Sequence, residues 1–307
     1  MSIKGGMTGS GPAPAAPDAL RQILPAPFAS EPFALLKRGI FDDPAVDVYL
    51  NQARDFAVLY PQPSIDYGSY RPRHQQLNLT GYRKTNEVLG RRLDKVARYF
   101  AAGQSVLEIG AADASFLQAL RGQVPGLQMA ALEPDADTRE QREKLPWLTN
   151  YADFSQVVAG TTFDVICAFH VLEHIPEPAA FLASCHALLR PQGRLIIEVP
   201  SLDDPLLSLY ECAPYVEYFF QRQHPFTYSL ASLRRLFETH HFAVTEEIPH
   251  QRYGIENHLR WLTAGAPGGN DVFRALFQRA DPEYRGDLER GRKADTAIVV
   301  ASPAHTS

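Results

Sequence analysis

Residues 105–116 read SVLEIGAADASF, and this stretch decides the fold of the chain. Its first part, 105–109, is a short apolar run in which the carboxylate of Glu108 stands one residue before the end. Small residues follow, and a helical pattern begins at Ala114. A buried parallel strand that ends in a tight turn before a helix exposes backbone N–H groups, so a ligand can bind at the strand's carboxyl end. Because Glu108 is acidic, this turn suits a ligand with an amine or a sulfonium better than a phosphate.

The composition is that of a globular chain without a nucleic-acid footprint. Of 307 residues, 45% are hydrophobic and 21% are charged, and the net charge of −5 excludes a strongly basic surface. The three cysteines form no CxxC pair, which predicts a reduced, cytoplasmic protein. No apolar run reaches the roughly 18–20 residues of a membrane span. Residues 1–24 are expected to be a flexible tail.

From residue 105 onward, strand and helix patterns alternate, which predicts an α/β fold with a mostly parallel sheet and helices on both faces. The strand candidates are 105–109, 128–132, 163–168, 194–199, 242–248 and 296–301, with a further strand expected to end at Tyr151. The helix candidates between them are 114–121, 136–144, 179–190 and 229–240. Ligand sites in such folds lie at the carboxyl ends of the strands.

The region 25–100 is expected to form an N-terminal helical or irregular extension and lid. An Asp-Pro pair predicts the start of a helix over about 43–59, because Pro is favoured in the first helical turn. Apolar residues at helical spacing predict an amphipathic helix over 85–100. The Tyr-rich segment 60–82 is a candidate lid. The core domain is expected over 101–250 and 294–303, with an insertion over 251–293.

Polar residues follow the expected strand ends. Glu133 follows Glu108 in the sequence. Their spacing is close to the roughly 20 residues after which a strand-end acid binds ribose hydroxyls in nucleotide folds. Asp153 can accept a hydrogen bond from an exocyclic amine, while Phe154 packs on a base. The next strand runs into His170. Each acid also has a structural explanation as a turn residue or helix cap, and Asp113 could be no more than the N-cap of its helix. Their recurrence at successive strand ends favours a nucleoside site.

Several segments together resemble the class I S-adenosylmethionine-dependent methyltransferases: EIGAADASF at 108–116, EPD at 133–135, YADF at 151–154, FHVLEHIP at 169–176 and LLRPQGRLIIEVP at 188–200. The resemblance covers about residues 82–250, with a final strand near 296–301. It implies a Rossmann-like, doubly wound sheet of seven strands, S-adenosylmethionine as cofactor and S-adenosylhomocysteine as product.

The resemblance also implies roles for individual residues. Glu108 and Gly110 would flank the methionine end of the cofactor, and Glu133 would bind the ribose hydroxyls. Asp153 with Phe154 would hold adenine. The full set implied for cofactor binding is Tyr82, Glu108, Gly110, Ala112, Asp113, Glu133, Pro134, Asp153, Phe154 and His170. Ala112 and Ala114 depart from the family pattern, which usually has glycine at both positions.

Two other chemistries fit the sequence less well. A dinucleotide-dependent dehydrogenase shares the alternating pattern, but Gly110, Ala112 and Ser115 occupy the places of G-x-G-x-x-G, so two glycines are missing. Residues 170–174 spell H-x-x-E-H, an inverted zinc-protease motif. A zinc site would need this motif on a long helix, and the prolines that follow it leave little helix. No metal is therefore expected.

The methyl acceptor is expected to be a small molecule or carbohydrate, most simply a hydroxyl of a sugar, a polysaccharide end or a natural product. The stretch QRQHPFTYS at 221–229 resembles sugar and small-molecule methyltransferases, and by that match His224 is the first choice for a general base. His170 is the second choice, and His224 could instead cap the following helix.

Residues outside the core patterns are candidates for binding the acceptor: Tyr228, Arg252, Tyr253, Asn257, His258 and Trp261. Polar groups and exposed aromatics in the insertion suit stacking on a sugar ring, and a homodimer contact is the competing interpretation. Carbon or nitrogen methylation, and a non-catalytic cofactor-binding or interaction role, stay open as alternatives.

Overall fold

The structure is a computed structural model that describes residues 16–63 and 82–304, with only the backbone described for 82–86. Residues 1–15 of the expected tail and 64–81 of the expected lid lie outside the described residues. The chain divides into two compact units. The first unit is Met1–Thr85, Pro200–Ser232 and Pro249–Ala297, and the second unit is Asn86–Val199, Leu233–Ile248 and Ile298–Ser307.

The strands of the described residues form two sheets. In chain order they are β1 Phe33–Lys37, β2 Asp47–Asn51, β3 Phe56–Tyr60, β4 Ser105–Ile109, β5 Gln128–Leu132, β6 Leu148–Tyr151, β7 Phe163–Phe169, β8 Leu189–Pro200, β9 Phe226–Tyr228, β10 Phe242–His250 and β11 Thr296–Pro303. One sheet has seven strands in the order β10-β11-β8-β7-β4-β5-β6, and the other has the order β1-β2-β3-β9.

Helices connect most of these strands. The α-helices of the described residues are α1 Tyr82–Val96, α2 Ser115–Gln123, α3 Arg139–Glu143, α4 Pro178–Leu188, α5 Pro205–Ser208, α6 Ala213–Phe219, α7 Leu230–Thr239, α8 Ile255–Ala264, α9 Asp271–Phe277 and α10 Asp281–Arg290. Short 3₁₀ turns lie at Asp18–Gln22, Phe28–Ser30, Ala97–Tyr99, Ala136–Thr138, Phe154–Gln156 and Leu172–His174. None of the helices in the described ranges has the length and apolar content needed to cross a bilayer.

The seven-stranded sheet confirms the predicted fold class. Strand β4 pairs in parallel with β5 and β7, β5 pairs in parallel with β6, and β7 with β8. β4 and β5 have the predicted bounds. The core of the second unit includes Val106, Leu117, Val165 and Ile196, each essentially inaccessible to solvent. Apolar side chains on both the strands and the connecting helix α2 therefore bury the sheet, as an α/β arrangement requires.

The sheet register places the candidate site at the carboxyl ends of neighbouring strands, the edge of the sheet where these strands end. Ile109, the last residue of β4, pairs with Leu132 of β5 and with Ala168 of β7, and Leu132 pairs with Tyr151 of β6. Because the last residues of these strands are paired, the segments that follow them leave the sheet side by side.

The helix predicted over 43–59 is wrong, because β2 and β3 occupy that stretch and form an antiparallel pair. The side chain of Asn51 makes the turn between them: its Oδ1 accepts hydrogen bonds from the N–H groups of Asp55 and Phe56 at 3.0 Å each. Arg54 in this turn has a φ of +58°. Val48 and Leu50 are core residues of the first unit, and Tyr49 and Asn51 between and after them are also buried, so β2 lacks the alternation that marks a strand in the sequence.

The buried side chain of His258 is expected to make the stability of the first unit depend on pH. It is 2% exposed, its Nδ1 lies 2.5 Å from the hydroxyl of Tyr284, and burial lowers its pKa from 6.5 to about 4. Between those two values the unfolded chain binds a proton that the folded chain does not. The contribution of His258 to stability is therefore fully present above about pH 6.5 and falls as the pH is lowered to 4, by about 3 kcal/mol for a shift of this size.

A fluorescent probe in the first unit can report this pH dependence in the whole chain. The sequence has two tryptophans, Trp147 and Trp261, so in a Trp147→Phe background the fluorescence of Trp261 follows the first unit during urea unfolding at pH 4.5 and 7. His258→Gln is expected to remove the His258 contribution, so that the free energy of unfolding at pH 4.5, relative to pH 7, is higher than in the unsubstituted protein. His241→Asn, at an exposed position, should leave it in place. An unchanged slope in His258→Gln would assign the dependence to other groups.

Candidate functional site

The turn after β4 needs glycine at its first position. Gly110 has a φ of +74°, and its N–H donates a 2.8 Å hydrogen bond to the carbonyl of Leu132. A Cβ at this position would lie 2.4 Å from Cγ2 of Val171, in the segment that follows β7. The conformation and the close approach both exclude a larger side chain here.

The two alanines of the turn also adopt left-handed conformations. Ala112 has a φ of +46° and Ala114 a φ of +62°. They take the backbone geometry that glycine adopts freely, at a cost of about 1–2 kcal/mol each. Asp113 between them accepts hydrogen bonds from the N–H of Ser115 at 3.0 Å and from its hydroxyl at 2.6 Å, so its carboxylate closes an Asx turn directly before α2, whose N-cap is Ala114.

Glu108 is a buried acid with spare hydrogen-bonding capacity. Glu108 is 4% exposed, and its Oε2 has no hydrogen-bond partner among the described residues. Burial raises the pKa of this carboxyl well above 4.5; Arg92 opposes the shift, and Asp113 and Glu133 add to it. A buried acceptor without a partner is costly, so a cationic ligand would stabilise the carboxylate.

Glu133 joins the segments that follow β4 and β5. It lies directly after β5, and its Oε2 accepts a 2.8 Å hydrogen bond from the N–H of Ala112. Its Oε1 accepts a 2.9 Å bond from the N–H of Asp135. Each carboxylate oxygen retains a second lone pair, so Glu133 can still accept hydrogen bonds from a ligand. The neighbouring Pro134 is exposed.

Asp153 and Phe154 follow β6. Asp153 is exposed and accepts hydrogen bonds from the N–H and the hydroxyl of Ser155, which lower the pKa of its carboxyl. Phe154 is half-buried, and its ring meets that of Phe181 edge-on at 6.2 Å between centroids. One face of a planar group could therefore pack on Phe154 at this edge.

His170 lies between two buried carboxylates. It has a φ of +56°, its Nδ1 is 3.0 Å from Oε1 of Glu173, and its Nε2 is 3.0 Å from Oε1 of Glu198. Arg92 donates to both oxygens of Glu198, at 2.9 and 2.6 Å. Burial would raise the pKa of Glu198, but Arg92 and His170 hold it well below 4.5. Because both ring nitrogens face carboxylates, His170 is poorly placed to take a proton from a substrate.

Sequence reasoning missed Arg92 and Glu198. The available signal was Glu198 itself, a single acid in the apolar run of β8, because acids are rarely fully buried without a partner. Nothing in the spacing of α1 indicated that Arg92 is that partner. Tyr82, a predicted cofactor residue, begins α1, and its side chain lies outside the described part of the chain.

The remaining candidates belong to the first unit. His224 lies half-buried between α6 and β9, and its N–H donates to the carbonyl of Gln221 at 3.0 Å. Arg252 and Tyr253 are half-buried, with the guanidinium 5.4 Å from the centre of the tyrosine ring. These three residues keep partly accessible side chains.

The expectation of exposed aromatics in the insertion is wrong for Trp261, which is 3% exposed. Its ring lies 5.0 and 5.1 Å from those of Tyr215 and Tyr218. Asn257 and His258 are buried as well, and Asn257 donates to the carbonyl of Gly268. Tyr228 is fully buried in β9, 5.3 Å from the ring of Phe56. Asn257, His258 and Trp261 are hidden because α8 is amphipathic and turns them inward.

Comparisons with known proteins identify the family and the fold of the chain. A family model described as a methyltransferase domain matches residues 82–247. The ubiquinone biosynthesis O-methyltransferase of Actinobacillus pleuropneumoniae is 32% identical over 104 residues, and that of Vibrio campbellii is 28% identical over 135 residues. These matches cover 30% and 42% of this chain, and 44% and 53% of the relatives, so the chain spans about half the length of these curated relatives.

A solved structure shares the fold. The S-adenosylmethionine-dependent methyltransferase from Archaeoglobus fulgidus superposes with a TM-score of 0.50 at 17% identity, covering 77% of this chain and all of that one.

Proposed function

Because this chain belongs to the methyltransferase-domain family of S-adenosylmethionine-dependent enzymes, we propose that it methylates a hydroxyl oxygen of a small-molecule acceptor. The proposed acceptor is a sugar, a polysaccharide end or a related natural product. The similarity to ubiquinone biosynthesis O-methyltransferases supports oxygen as the methylated atom.

One observation carries the placement of the cofactor. The Oε2 of Glu108 is buried without a hydrogen-bond partner among the described residues, at the carboxyl end of the central strand β4. S-adenosylmethionine carries an ammonium and a sulfonium, so its methionine end supplies the positive charge that this carboxylate lacks. A pyrophosphate or another anion would be repelled by Glu108 and Glu133. The residues present therefore fit a cationic nucleoside.

The other residues of the edge complete the proposed site. Gly110 allows the chain to approach the ligand, and Glu133 would accept hydrogen bonds from the ribose hydroxyls. Asp153 would accept from the adenine amine, with Phe154 packed on the ring. Ala112, Asp113, Pro134 and His170 would line the same cofactor.

When bound, the cofactor supplies a methyl group activated by the sulfonium charge. The chain's own contribution is then to align the acceptor, exclude water and remove the acceptor's proton. We assign the base to His224, because both ring nitrogens of His170 already face carboxylates. Arg252 and Tyr253 are the proposed acceptor contacts.

The proposed function is tested with a radiolabelled methyl donor and a panel of hydroxyl, amine and carbon acceptors. Label transferred to a sugar or phenol hydroxyl supports it, whereas transfer only to nitrogen or carbon would replace oxygen by that atom. Calorimetry with S-adenosylmethionine is the companion measurement. No binding at millimolar cofactor would refute the proposed cofactor site.

His224→Ala is expected to lower kcat by about 100-fold or more, because general-base catalysis contributes about 10²–10⁴. The dissociation constant of S-adenosylmethionine should stay within about twofold of its original value. His170→Ala is the comparison variant for the second candidate base. If His224→Ala turns over normally while His170→Ala loses kcat with cofactor binding intact, the base is His170.

A further inference from the structure

Arg142 is a buried arginine beside the proposed cofactor site. It lies in α3 and is only 3% exposed, although arginine is almost never fully buried without partners. Burial lowers its pKa; the carboxylates of Glu133 and Asp135 oppose this shift. The guanidinium is nevertheless charged, since arginine is not deprotonated in proteins. A buried charge of this kind needs several hydrogen-bond acceptors.

The acceptors of Arg142 belong to two separate segments. Its Nη1 donates to the carbonyl of Ala112 and, at 2.6 Å, to the hydroxyl of Thr138. Its Nη2 lies 3.4 Å from the carbonyls of Glu133 and Asp135. Ala112 belongs to the turn after β4, whereas Glu133 and Asp135 follow β5. One guanidinium therefore ties these two segments together.

Ala112 is held on both sides. Its N–H donates to Oε2 of Glu133, and its carbonyl accepts from Nη1 of Arg142. Its φ of +46° is unfavourable for a residue with a Cβ. Such a conformation persists only where the surrounding structure enforces it. Within the described residues, Glu133 and Arg142 are the side chains that hydrogen-bond to the Ala112 backbone.

We propose that Arg142 is a positioning residue for the cofactor: it holds the Ala112 turn in its binding conformation and keeps Glu133 at the ribose position. The inference rests on the proposed cofactor site, but it does not depend on the acceptor. Arg142 itself need not touch the cofactor. Sequence reasoning had no signal for it, because an arginine in a short helix ordinarily faces solvent.

The test compares Arg142→Met, which keeps much of the length but removes every hydrogen bond, with Arg142→Lys. Calorimetry should show about tenfold weaker S-adenosylmethionine binding for Arg142→Met, equivalent to about 1.4 kcal/mol. Arg142→Lys should recover part of the loss, because lysine restores the charge without the planar fork. Arg139→Met is the matched control, since Arg139 is an exposed residue of the same helix. It should bind the cofactor normally.

A second arm separates positioning from general stability. Amide hydrogen exchange of the cofactor-free protein should be faster over residues 112–115 in Arg142→Met and unchanged in the strands. In an Ala112→Gly background, the same Arg142→Met substitution should cost less affinity, because glycine adopts a positive φ without the guanidinium. Unchanged cofactor affinity in Arg142→Met, or an equal loss in both backgrounds, would overturn the proposal. Failure of every acceptor to be methylated would count only against the proposed function.

Discussion

Gly110→Ala is expected to weaken S-adenosylmethionine binding by about 100-fold or more. The added Cβ would lie 2.4 Å from Cγ2 of Val171, at a φ of +74°. Normal contact needs about 1 Å more, so the turn or Val171 must move, and about 3 kcal/mol of strain in the binding conformation corresponds to roughly a 100-fold loss of affinity. Calorimetric titration with S-adenosylmethionine measures the loss, and thermal unfolding shows whether the sheet survives.

Two further variants separate the contact from the backbone strain. Gly160→Ala introduces an alanine at a φ of +85° with nothing within 4 Å, so it has the strain alone. It should bind the cofactor normally. Val171→Ala removes the atom that the added Cβ would meet, and the double variant Gly110→Ala/Val171→Ala should regain part of the affinity. If the double variant binds no better than Gly110→Ala, the close approach to Val171 is not the cause.

Glu108→Gln is expected to weaken S-adenosylmethionine binding by about 10- to 100-fold, equivalent to about 1.4–2.8 kcal/mol. The substitution keeps the shape and removes the negative charge that we propose pairs with the ligand. In the cofactor-free protein the same change should leave the free energy of unfolding unchanged or higher. The reason is that the folded state no longer buries a carboxylate whose pKa is raised mainly by burial.

The product distinguishes which cation Glu108 meets. S-adenosylhomocysteine keeps the ammonium and lacks the sulfonium. An equal loss of affinity for both ligands assigns the contact to the ammonium, and a loss confined to S-adenosylmethionine assigns it to the sulfonium. Glu140→Gln, at an exposed acid, serves as the control. Normal binding of both ligands by Glu108→Gln would remove Glu108 from the proposed site.

The parallel sheet was predictable because its strands are short apolar runs separated by helical patterns. β4 and β5 begin and end where the sequence indicates, since burial on both faces makes an apolar run continuous. β2 and β3 pair locally with each other and were misread because the Asp-Pro signal was taken for a helix start, whereas the pairing of β3 with residues 226–228 of β9 is distant in the sequence. Local propensity cannot report such distant pairing.

The sequence allowed the residues of the candidate site at the strand ends to be predicted, but not the hydrogen bonds and ion pairs that they form. Glu108, Glu133 and Asp153 are visible in the sequence because acids stand out after apolar runs. The guanidinium partners, Arg92 and Arg142, are ordinary helix residues until the fold brings them to buried acceptors. Trp261 illustrates the opposite error, since an aromatic residue in an insertion looks exposed until α8 packs.

The left-handed alanines of the turn after β4 have a consequence for the kinetics of cofactor capture. With Ala112 fixed by Glu133 and Arg142, the entropy of ordering this turn is lost when the chain folds rather than when the ligand arrives. We therefore expect that binding at the proposed cofactor site does not wait for a rearrangement of this turn, and that association is limited by encounter and orientation. A glycine-rich turn at the same place has more backbone freedom, so a larger share of its ordering would fall in the binding step.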